Sequence, residues 1–218
     1  MRRKGLTGLC RIATALTAGA MLLMGTIAAD ADFVATLPFA QPTHPAGPAK
    51  PTAAWTQFCS QVPEECQIDL TEPALIQLTP LNWAVLEIIN QRINREIQPR
   101  TDQEHWGVVD RWDYPEDGYG DCEDYQLLKR KLLIAAGLPR RAMRMTVVLD
   151  KNGGGHAVLM ILTSRGDFVL DNHTDAVLAW TETGYEFIKR EGSDDLTWVG
   201  LGGSATRTVV ATRSVRHH

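Results

Sequence analysis

Three short apolar runs follow one another in the second half of the chain, and they constrain its fold more than any other feature. The runs are RMTVVLD, HAVLMIL and FVLDN, and Gly, Asn and Asp are frequent between them. Short runs rich in β-branched residues and separated by turn residues predict consecutive antiparallel strands. His156 starts the second strand, and Asp171 lies near the end of the third. The later runs YEFIKR and TWVGL could add further strands.

Two segments ahead of these strands have the pattern of amphipathic helices. In the first, Thr79 is a cap, Pro80 takes the first helical position, and apolar residues recur at helical spacing until Pro99. The second opens near Asp121 and runs to a stop at Gly137. Helices followed by a run of antiparallel strands predict an α+β fold in which the helices pack on the sheet.

The N-terminal segment has the pattern of a secretory signal peptide. Basic residues come first, an apolar run from Ala13 to Ala29 follows, and small residues close the segment, which predicts cleavage near Ala31. The alternative is a single membrane anchor, which the short apolar run disfavours. We therefore assign residues 1–31 to the signal peptide and expect no membrane span after its cleavage.

The remaining chain is predicted to form one domain behind a short leader. Residues 32–54 are rich in Pro, Ala and Thr, which predicts an extended or mobile leader. Residues 55–218 have an ordinary length for a single domain with its own core. The net charge of −4 includes four basic residues and one acid of the signal peptide, so the exported chain is more acidic. No clustered basic face is visible, and a nucleic-acid partner is not expected.

Three cysteines remain after signal cleavage, and an odd number leaves one thiol over. Cys59 and Cys66 flank a short segment in which Pro63 favours a turn, and an oxidising compartment favours pairing of such near neighbours. We predict a disulfide between them that stabilises by about 2–3 kcal/mol. The alternative is two independent buried thiols. Cys122 is then the free cysteine.

Cys122 lies in the first turn of the second predicted helix, where two features favour catalysis. The positive end of the helix dipole favours a thiolate, and the free backbone N–H groups of the same turn can stabilise an oxyanion. A cysteine hydrolase also needs a base and a group that orients it, and His156 and Asp171 follow in that order. The alternative for Cys122 alone is a small buried apolar residue.

The spacing of His156 and Asp171 does not by itself bring them together. If the third and second strands pair around a turn SRGD, Asp171 lies opposite Met160 and away from His156. A bulge, or a strand that ends at Asn172, would be required. Each residue also has a structural alternative, since His156 could end a turn and Asp171 could belong to the turn DNHTD.

Several stretches together resemble a known family. These are YGDCEDYQLLKRKLLIAAGLP, GGGHAVLMI and FVLDNHTDAV, with HWGVVDRWDYP ahead of the cysteine, and they resemble the bacterial transglutaminase-like cysteine proteinases. The resemblance covers roughly Trp83 to Trp180. It implies a papain-like fold with a transglutaminase core, in which Cys122 is the nucleophile, His156 the base and Asp171 the orienting residue.

The acids beside Cys122 have two interpretations. The resemblance implies that Asp121 and Glu123 are ligands of a calcium ion, whose charge would cancel their opposition to a thiolate. From the residues alone, Asp121 could cap the helix while Glu123 and Asp124 favour its dipole. The two ligands can converge only if Asp121 lies outside the first helical turn. Further oxygen ligands could come from Asp110, Asp113, Asp117 or a loop carbonyl.

The resemblance also implies a function: a periplasmic or secreted, calcium-dependent cysteine endopeptidase that cleaves a protein such as a large surface adhesin. Members of this family are restrained by the periplasmic domain of an inner-membrane receptor, so such a domain is a candidate inhibitory partner. Two alternatives remain at this point. One is a transglutaminase with the same triad, and the other is a non-catalytic exported binding module that uses the aromatic loop from Trp106 to Tyr119.

Overall fold

The computed structural model describes residues 37–195 and 197–203. The predicted signal peptide, residues 1–31, lies outside the described residues. In chain order the strands are β1 (Pro48–Ala49), β2 (Gln98–Pro99), β3 (Tyr119–Gly120), β4 (Met143–Leu149), β5 (Gly155–Thr163), β6 (Gly166–Asp171), β7 (Thr174–Ala179), β8 (Glu186–Glu191) and β9 (Trp198–Gly200).

Seven of these strands form one antiparallel sheet in the order β1-β9-β8-β4-β5-β6-β7. The remaining two, β2 and β3, pair with each other in parallel. The three runs that predicted consecutive antiparallel strands are β4, β5 and β6, and the two later runs are β8 and β9, so these predictions are confirmed. The β8 strand returns to pair with β4, which puts the catalytic candidates of β5 and β6 on the other side of β4.

Four α-helices are described: α1 (Ala53–Gln61), α2 (Pro80–Glu96), α3 (Asp102–His105) and α4 (Cys122–Ala135). Thr79 caps α2 through its hydroxyl oxygen, which accepts a hydrogen bond of 3.1 Å from the backbone N–H of Asn82. Gly137 adopts a positive φ of 87° just after α4, as a helix-terminating glycine does. Both predicted helices, and with them the α+β fold class, are confirmed.

The helices α2 and α4 pack on one face of the sheet and on each other. α4 lies on β5, and α2 contacts β7 and α4. Leu86 of α2 and Leu127 and Leu133 of α4 belong to the same buried core as Met145 and Leu159 of the sheet. Burial of side chains of this size stabilises by about 1.5–3 kcal/mol each. This packing fixes the first turn of α4 against the beginning of β5.

The hairpin between β5 and β6 has a tighter turn than the sequence predicted. Thr163 pairs with Gly166 and Met160 pairs with Val169, so the predicted pairing of Met160 with Asp171 is wrong. The chain reverses at Ser164 and Arg165, because Gly166 adopts a φ of 95° that side chains other than glycine rarely allow. The register is therefore shifted by two residues relative to the prediction.

The described part of the predicted leader, residues 37–54, lies against the domain. Its segment ahead of α1 is largely extended, Leu37 and Ala40 are buried, and Thr43 hydrogen-bonds to Asp167 through its backbone N–H and its hydroxyl, both at 2.7 Å. The chain boundaries predicted at residues 31 and 54 stay predictions.

The predicted disulfide between Cys59 and Cys66 is present, which confirms that pairing. It joins the end of α1 to the 3₁₀ helix Pro63–Cys66. Cys122 is the free cysteine among the described residues. Within the part of the chain that the structure describes, no helix is both long enough and apolar enough to cross a membrane.

Candidate active site

Cys122 is the first residue of α4, and its side chain is buried at the contact between that helix and β5. Its Sγ accepts a hydrogen bond of 3.3 Å from the backbone N–H of Ala157 and lies 3.0 Å from Oε2 of Glu123. The N–H groups of a first helical turn have no acceptor within the helix, so they remain available to an oxyanion. The sulfur therefore lies at the positive end of the helix dipole, in contact with a backbone donor and with the Glu123 carboxylate.

His156 and Asp171 form a buried hydrogen-bonded pair. Nε2 of His156 lies 2.8 Å from Oδ1 of Asp171, and the two residues are only 1% and 2% exposed. The shifted hairpin register explains their meeting. If the β5–β6 ladder continued past Leu170, Asp171 would lie opposite Val158, and His156 is on the same face of β5 two residues away. The two-residue turn between β5 and β6 therefore brings His156 and Asp171 close enough to pair.

The pKa values of His156 and Asp171 are shifted in the directions expected for an ion pair. Burial lowers the pKa of His156, but the hydrogen bond to Asp171 and the interactions with Cys122 outweigh it and raise the pKa to about 10. Burial alone would raise the pKa of Asp171, yet its hydrogen bond with His156 and the charges of His156 and His173 hold it well below the ordinary value. The pair is consequently an imidazolium and a carboxylate at neutral pH.

The structure brings the three predicted catalytic residues together. Nε2 of His156 is taken by Asp171, while its Nδ1 makes no hydrogen bond with the described residues. An interaction with Cys122 contributes to the raised pKa of His156, and Cys122 Sγ accepts from the backbone N–H of Ala157, the residue after His156.

Three carboxylates next to Cys122 converge closely enough to hold a metal ion. Ligand oxygens of Asp102, Asp121 and Glu123 all lie within 4.8 Å of one another, and all three residues are buried. Asp121 is the N-cap of α4 and so lies outside the first helical turn, which is the condition under which it can converge with Glu123. Oδ1 of Asp121 and Oε1 of Glu123 are buried and accept no hydrogen bond from the described residues. Hard oxygen donors in this state fit a cation such as calcium.

Without a cation nearby, the negative charges of these three carboxylates repel one another. Burial raises the pKa of Asp102 to about 6. Burial and the neighbouring Asp102 raise the pKa of Asp121 to about 7. Glu123 has a pKa well above its usual range because of burial and the charges of Cys122 and Asp121. Three ionised carboxylates buried this close together destabilise the protein, and either protonation or a bound cation removes their repulsion.

The structure also decides which loop acids join this group. Asp102, at the start of α3, is a member that sequence reasoning missed, because after Thr101 it has the pattern of an ordinary helix start. Asp110 interacts with Glu123, as the sequence allowed. Asp113 pairs instead with Arg111 at 2.9 Å, and Asp117 pairs with His105 at 2.8 Å, so neither belongs to the cluster.

Asp124 has a structural role at the start of α4. It is buried, and its two oxygens accept hydrogen bonds from the backbone N–H of Asp113 at 3.0 Å and of Asp121 at 3.3 Å. It therefore fixes the acidic loop to the helix rather than acting as an exposed dipole charge. Gly120 leaves room for it, because a Cβ at that position would lie 2.8 Å from Cβ of Asp124.

A cavity of about 580 Å³ adjoins the Asp171 side of the triad. Its walls include Asp171 at the end of β6, His173 of the β6–β7 turn, Asp150 and Lys151 of the β4–β5 turn, and Tyr185 ahead of β8. A cavity of this size is suited to a ligand segment, and of the three predicted catalytic residues Asp171 lines it. Tyr185, which lines this cavity, is the second residue that sequence reasoning missed. In the sequence it only begins the run YEFIKR, and nothing there indicated a role at the site.

Comparisons with known proteins agree with the resemblance seen in the sequence. The model of a family described as bacterial transglutaminase-like cysteine proteinase matches residues 46–206. A search of curated proteins gave no significant match.

Solved structures of Legionella pneumophila LapG are similar to this chain. One has a TM-score of 0.48 and 23% identity, and the match covers 59% of this chain and 74% of that one. Its calcium-bound form has a TM-score of 0.48 and 22% identity, with 61% and 76% covered. Its EGTA-treated form has a TM-score of 0.47 and 24% identity, with 60% and 72% covered. Because these scores are below 0.5, the family assignment depends on the family model.

Proposed function

The chain belongs to the bacterial transglutaminase-like cysteine proteinases, and from that premise we propose a calcium-dependent cysteine endopeptidase that acts in the periplasm or outside the cell. The family gives the transglutaminase core, the cysteine proteinase class and a protein as substrate. The proposal adds the triad, the metal, the compartment and the kind of substrate.

The observation that carries the proposal is the arrangement of Cys122, His156 and Asp171. A thiol at a helix start interacts with a histidine whose Nε2 lies 2.8 Å from a buried carboxylate. Acyl transfer through a cysteine requires a nucleophile, a base next to it and a group that orients the base. We therefore assign Cys122 as nucleophile, His156 as general acid and base, and Asp171 as the residue that orients His156.

The reaction follows from these positions. The Cys122 thiolate attacks the peptide carbonyl carbon, and the carbonyl electrons move to oxygen, where N–H groups of the first turn of α4 stabilise the charge. As this intermediate collapses, the C–N bond breaks and the His156 imidazolium gives its proton to the leaving amine. His156, now neutral, takes a proton from water, which attacks the thioester and releases the acid and the thiolate.

Calcium is the cofactor that the acidic cluster fits best. Asp102, Asp121 and Glu123 would hold it, and the two buried oxygens without hydrogen-bond donors among the described residues support this choice. Zinc sites favour His and Cys, whereas calcium takes several oxygens in flexible geometry. When bound, the ion supplies positive charge that offsets the carboxylates beside the Cys122 thiolate. The similar LapG of Legionella pneumophila has a calcium-bound structure.

The compartment and partners complete the proposal. The disulfide between Cys59 and Cys66 fits a protein of an oxidising compartment, in agreement with the predicted signal peptide. On the resemblance, we propose a large surface adhesin as substrate and the periplasmic domain of an inner-membrane receptor as an inhibitory partner.

The test is a cleavage assay with fragments of large secreted adhesins from the source organism. The calcium-loaded chain should cut a fragment at a defined bond, whereas Cys122→Ala should be inactive. Asp171→Asn should lower kcat by about 10²–10⁴-fold with the fold intact, because His156 loses its orienting carboxylate. Full activity of Cys122→Ala would overturn the proposal.

The same assay separates the two alternative functions. With a fluorescent amine present, a transglutaminase would attach it to a glutamine-containing protein, whereas a peptidase gives new N-termini. A binding module would retain an adhesin fragment on immobilised protein without cleaving it, and with equal strength in Cys122→Ala. Either result would contradict the proposed endopeptidase.

A further inference from the structure

The carboxylate of Asp171 is held by more than His156. Its Oδ1 accepts a hydrogen bond of 3.0 Å from the backbone N–H of His173 in addition to that from His156. Its Oδ2 accepts a hydrogen bond of 2.6 Å from the hydroxyl of Tyr185. The three donors together fix the plane of the carboxylate, and Tyr185 is the donor to the oxygen that faces away from His156.

We propose that Tyr185 is a positioning residue of the catalytic triad, which keeps Oδ1 of Asp171 directed at Nε2 of His156. This inference rests on the proposed function, because it concerns the orientation of the same base. A carboxylate can rotate about its Cβ–Cγ bond, and the hydroxyl on Oδ2 opposes that rotation. Hydrogen bonds to charged groups are worth about 1.5–3 kcal/mol, which is enough to select one orientation.

Tyr185 is itself held in place by the segment before β8. Its backbone N–H donates to the hydroxyl of Thr183 at 3.2 Å, and that hydroxyl donates to the carbonyl of Trp180 at 2.9 Å. The Tyr185 ring stands edge-on to the His156 ring, with centroids 5.6 Å apart. The hydroxyl is thus presented by the loop between β7 and β8, directly ahead of the strand that pairs with β4.

His173 completes this arrangement from the other direction. Its ring is stacked on that of His156, with centroids 4.2 Å apart and an interplanar angle of 2°. Stacking covers one face of His156, and Asp171 beneath is almost fully buried. If the Tyr185 hydroxyl were removed, Oδ2 would lose this donor, and the carboxylate would rotate towards other donors.

The test compares Tyr185→Phe with the parent chain, both loaded with calcium. We expect kcat for the adhesin fragment to fall about 10- to 100-fold, as removal of supporting hydrogen bonds does at other sites. A second measurement needs no substrate. In a Cys122→Ala background, the NMR titration of His156 should show a pKa lower by about one unit in Tyr185→Phe, because a rotated Asp171 supports the imidazolium less well.

Tyr114→Phe is the matched control. It also removes a hydroxyl bonded to a buried carboxylate, that of Glu65, but away from the triad. It should lower the melting temperature and leave the pKa of His156 unchanged. The titratable groups that interact with His156 include Cys122, Asp150, Asp171, His173 and Tyr185, and the control touches none of them.

The outcomes are distinguishable. An unchanged or raised His156 pKa in Tyr185→Phe, with Asp171→Asn still lowering it, would overturn the role of Tyr185 and leave the triad intact. Full cleavage activity in Asp171→Asn or Cys122→Ala would overturn the proposed function instead. Thermal unfolding of Tyr185→Phe confirms that the variant compared is folded.

Discussion

Nε2 of His156 and Oδ1 of Asp171 lie 2.8 Å apart although the two residues are not opposite each other on their strands. Asp171 follows Leu170, which pairs with Leu159, so His156 is its diagonal neighbour across β5 and β6. Diagonal neighbours on one face of a sheet are about 7–8 Å apart, a distance that an imidazole and a carboxylate can span together. The ion pair therefore depends on the register of a single hairpin.

Cys122 should be the reactive thiol of the native protein. It lies at the start of α4 beside His156, whereas Cys59 and Cys66 are joined in a disulfide. Iodoacetamide followed by peptide mass spectrometry should label Cys122 far faster than the other two. His156→Ala should slow that labelling, because the imidazolium no longer stabilises the thiolate. Equal, slow labelling of all three cysteines would contradict this prediction.

Calcium should be required for activity through the acidic cluster. Chelation should abolish cleavage and added calcium should restore it. Asp102→Asn, Asp121→Asn and Glu123→Gln should each weaken calcium binding by about tenfold or more, because each removes a charged oxygen ligand. Isothermal titration calorimetry measures the affinity.

Asp117→Asn is the control for these three variants. It lies in the same acidic loop but pairs with His105 outside the cluster. Its calcium affinity should match that of the parent. Full cleavage by the chelated protein would show that the acids only cap the helix.

Without calcium, the protein should lose stability as the pH rises from about 4 to about 7. Burial raises the pKa of Asp102 to about 6 and that of Asp121 to about 7. In this window the folded chain binds more protons than the unfolded chain, whose carboxyls titrate near pH 4, so the free energy of unfolding falls with pH.

Calcium should flatten that dependence, because the ion replaces the protons. Melting temperatures measured across the window with chelator and with calcium test this directly. The raised pKa of His156 acts at higher pH, since its stabilisation is lost between about 6.5 and about 10. A metal-free protein that is most stable at pH 7 would contradict the prediction.

The disulfide should contribute stability without affecting the chemistry. Replacing Cys59 and Cys66 together by serine should lower the free energy of unfolding by about 2–3 kcal/mol, the loop-closure value for a short loop. Urea unfolding measures the loss, and kcat of the folded fraction should stay unchanged because the bridge lies away from the triad. A stability equal to that of the parent would contradict the estimate.

Gly120→Ala should disturb the start of α4. The new Cβ would lie 2.8 Å from both Cβ and Oδ2 of Asp124, whose Oδ2 accepts a hydrogen bond from the backbone N–H of the N-cap residue Asp121. Overpacking of this kind costs about 1–3 kcal/mol, and calcium affinity should fall as well because Asp121 is displaced. Gly154→Ala is the comparison, since its Cβ would meet Asp150 at an ordinary 3.4 Å. Equal melting temperatures for both variants would contradict the prediction.

The sequence alone determined the features that depend on neighbours along the chain. Thr79 and Pro80 start a helix, Gly137 ends one, and the apolar runs form strands, because caps, turns and periodicity are local. The same holds for the disulfide, whose cysteines are seven residues apart. The position of Cys122 in a first helical turn also follows from local pattern, whereas the structure was needed to place Asp121 at the N-cap, outside that turn.

Only the tertiary structure decided which distant residues meet. The two-residue turn at Ser164 and Arg165 shifted the hairpin and brought Asp171 to His156, because a change of register moves every pair of a ladder at once. Asp102 joined the acidic cluster through the packing of its loop on α4, and Tyr185 reached Asp171 because β8 returns to pair with β4. Such contacts are set by how the elements pack, and no spacing along the sequence encodes them.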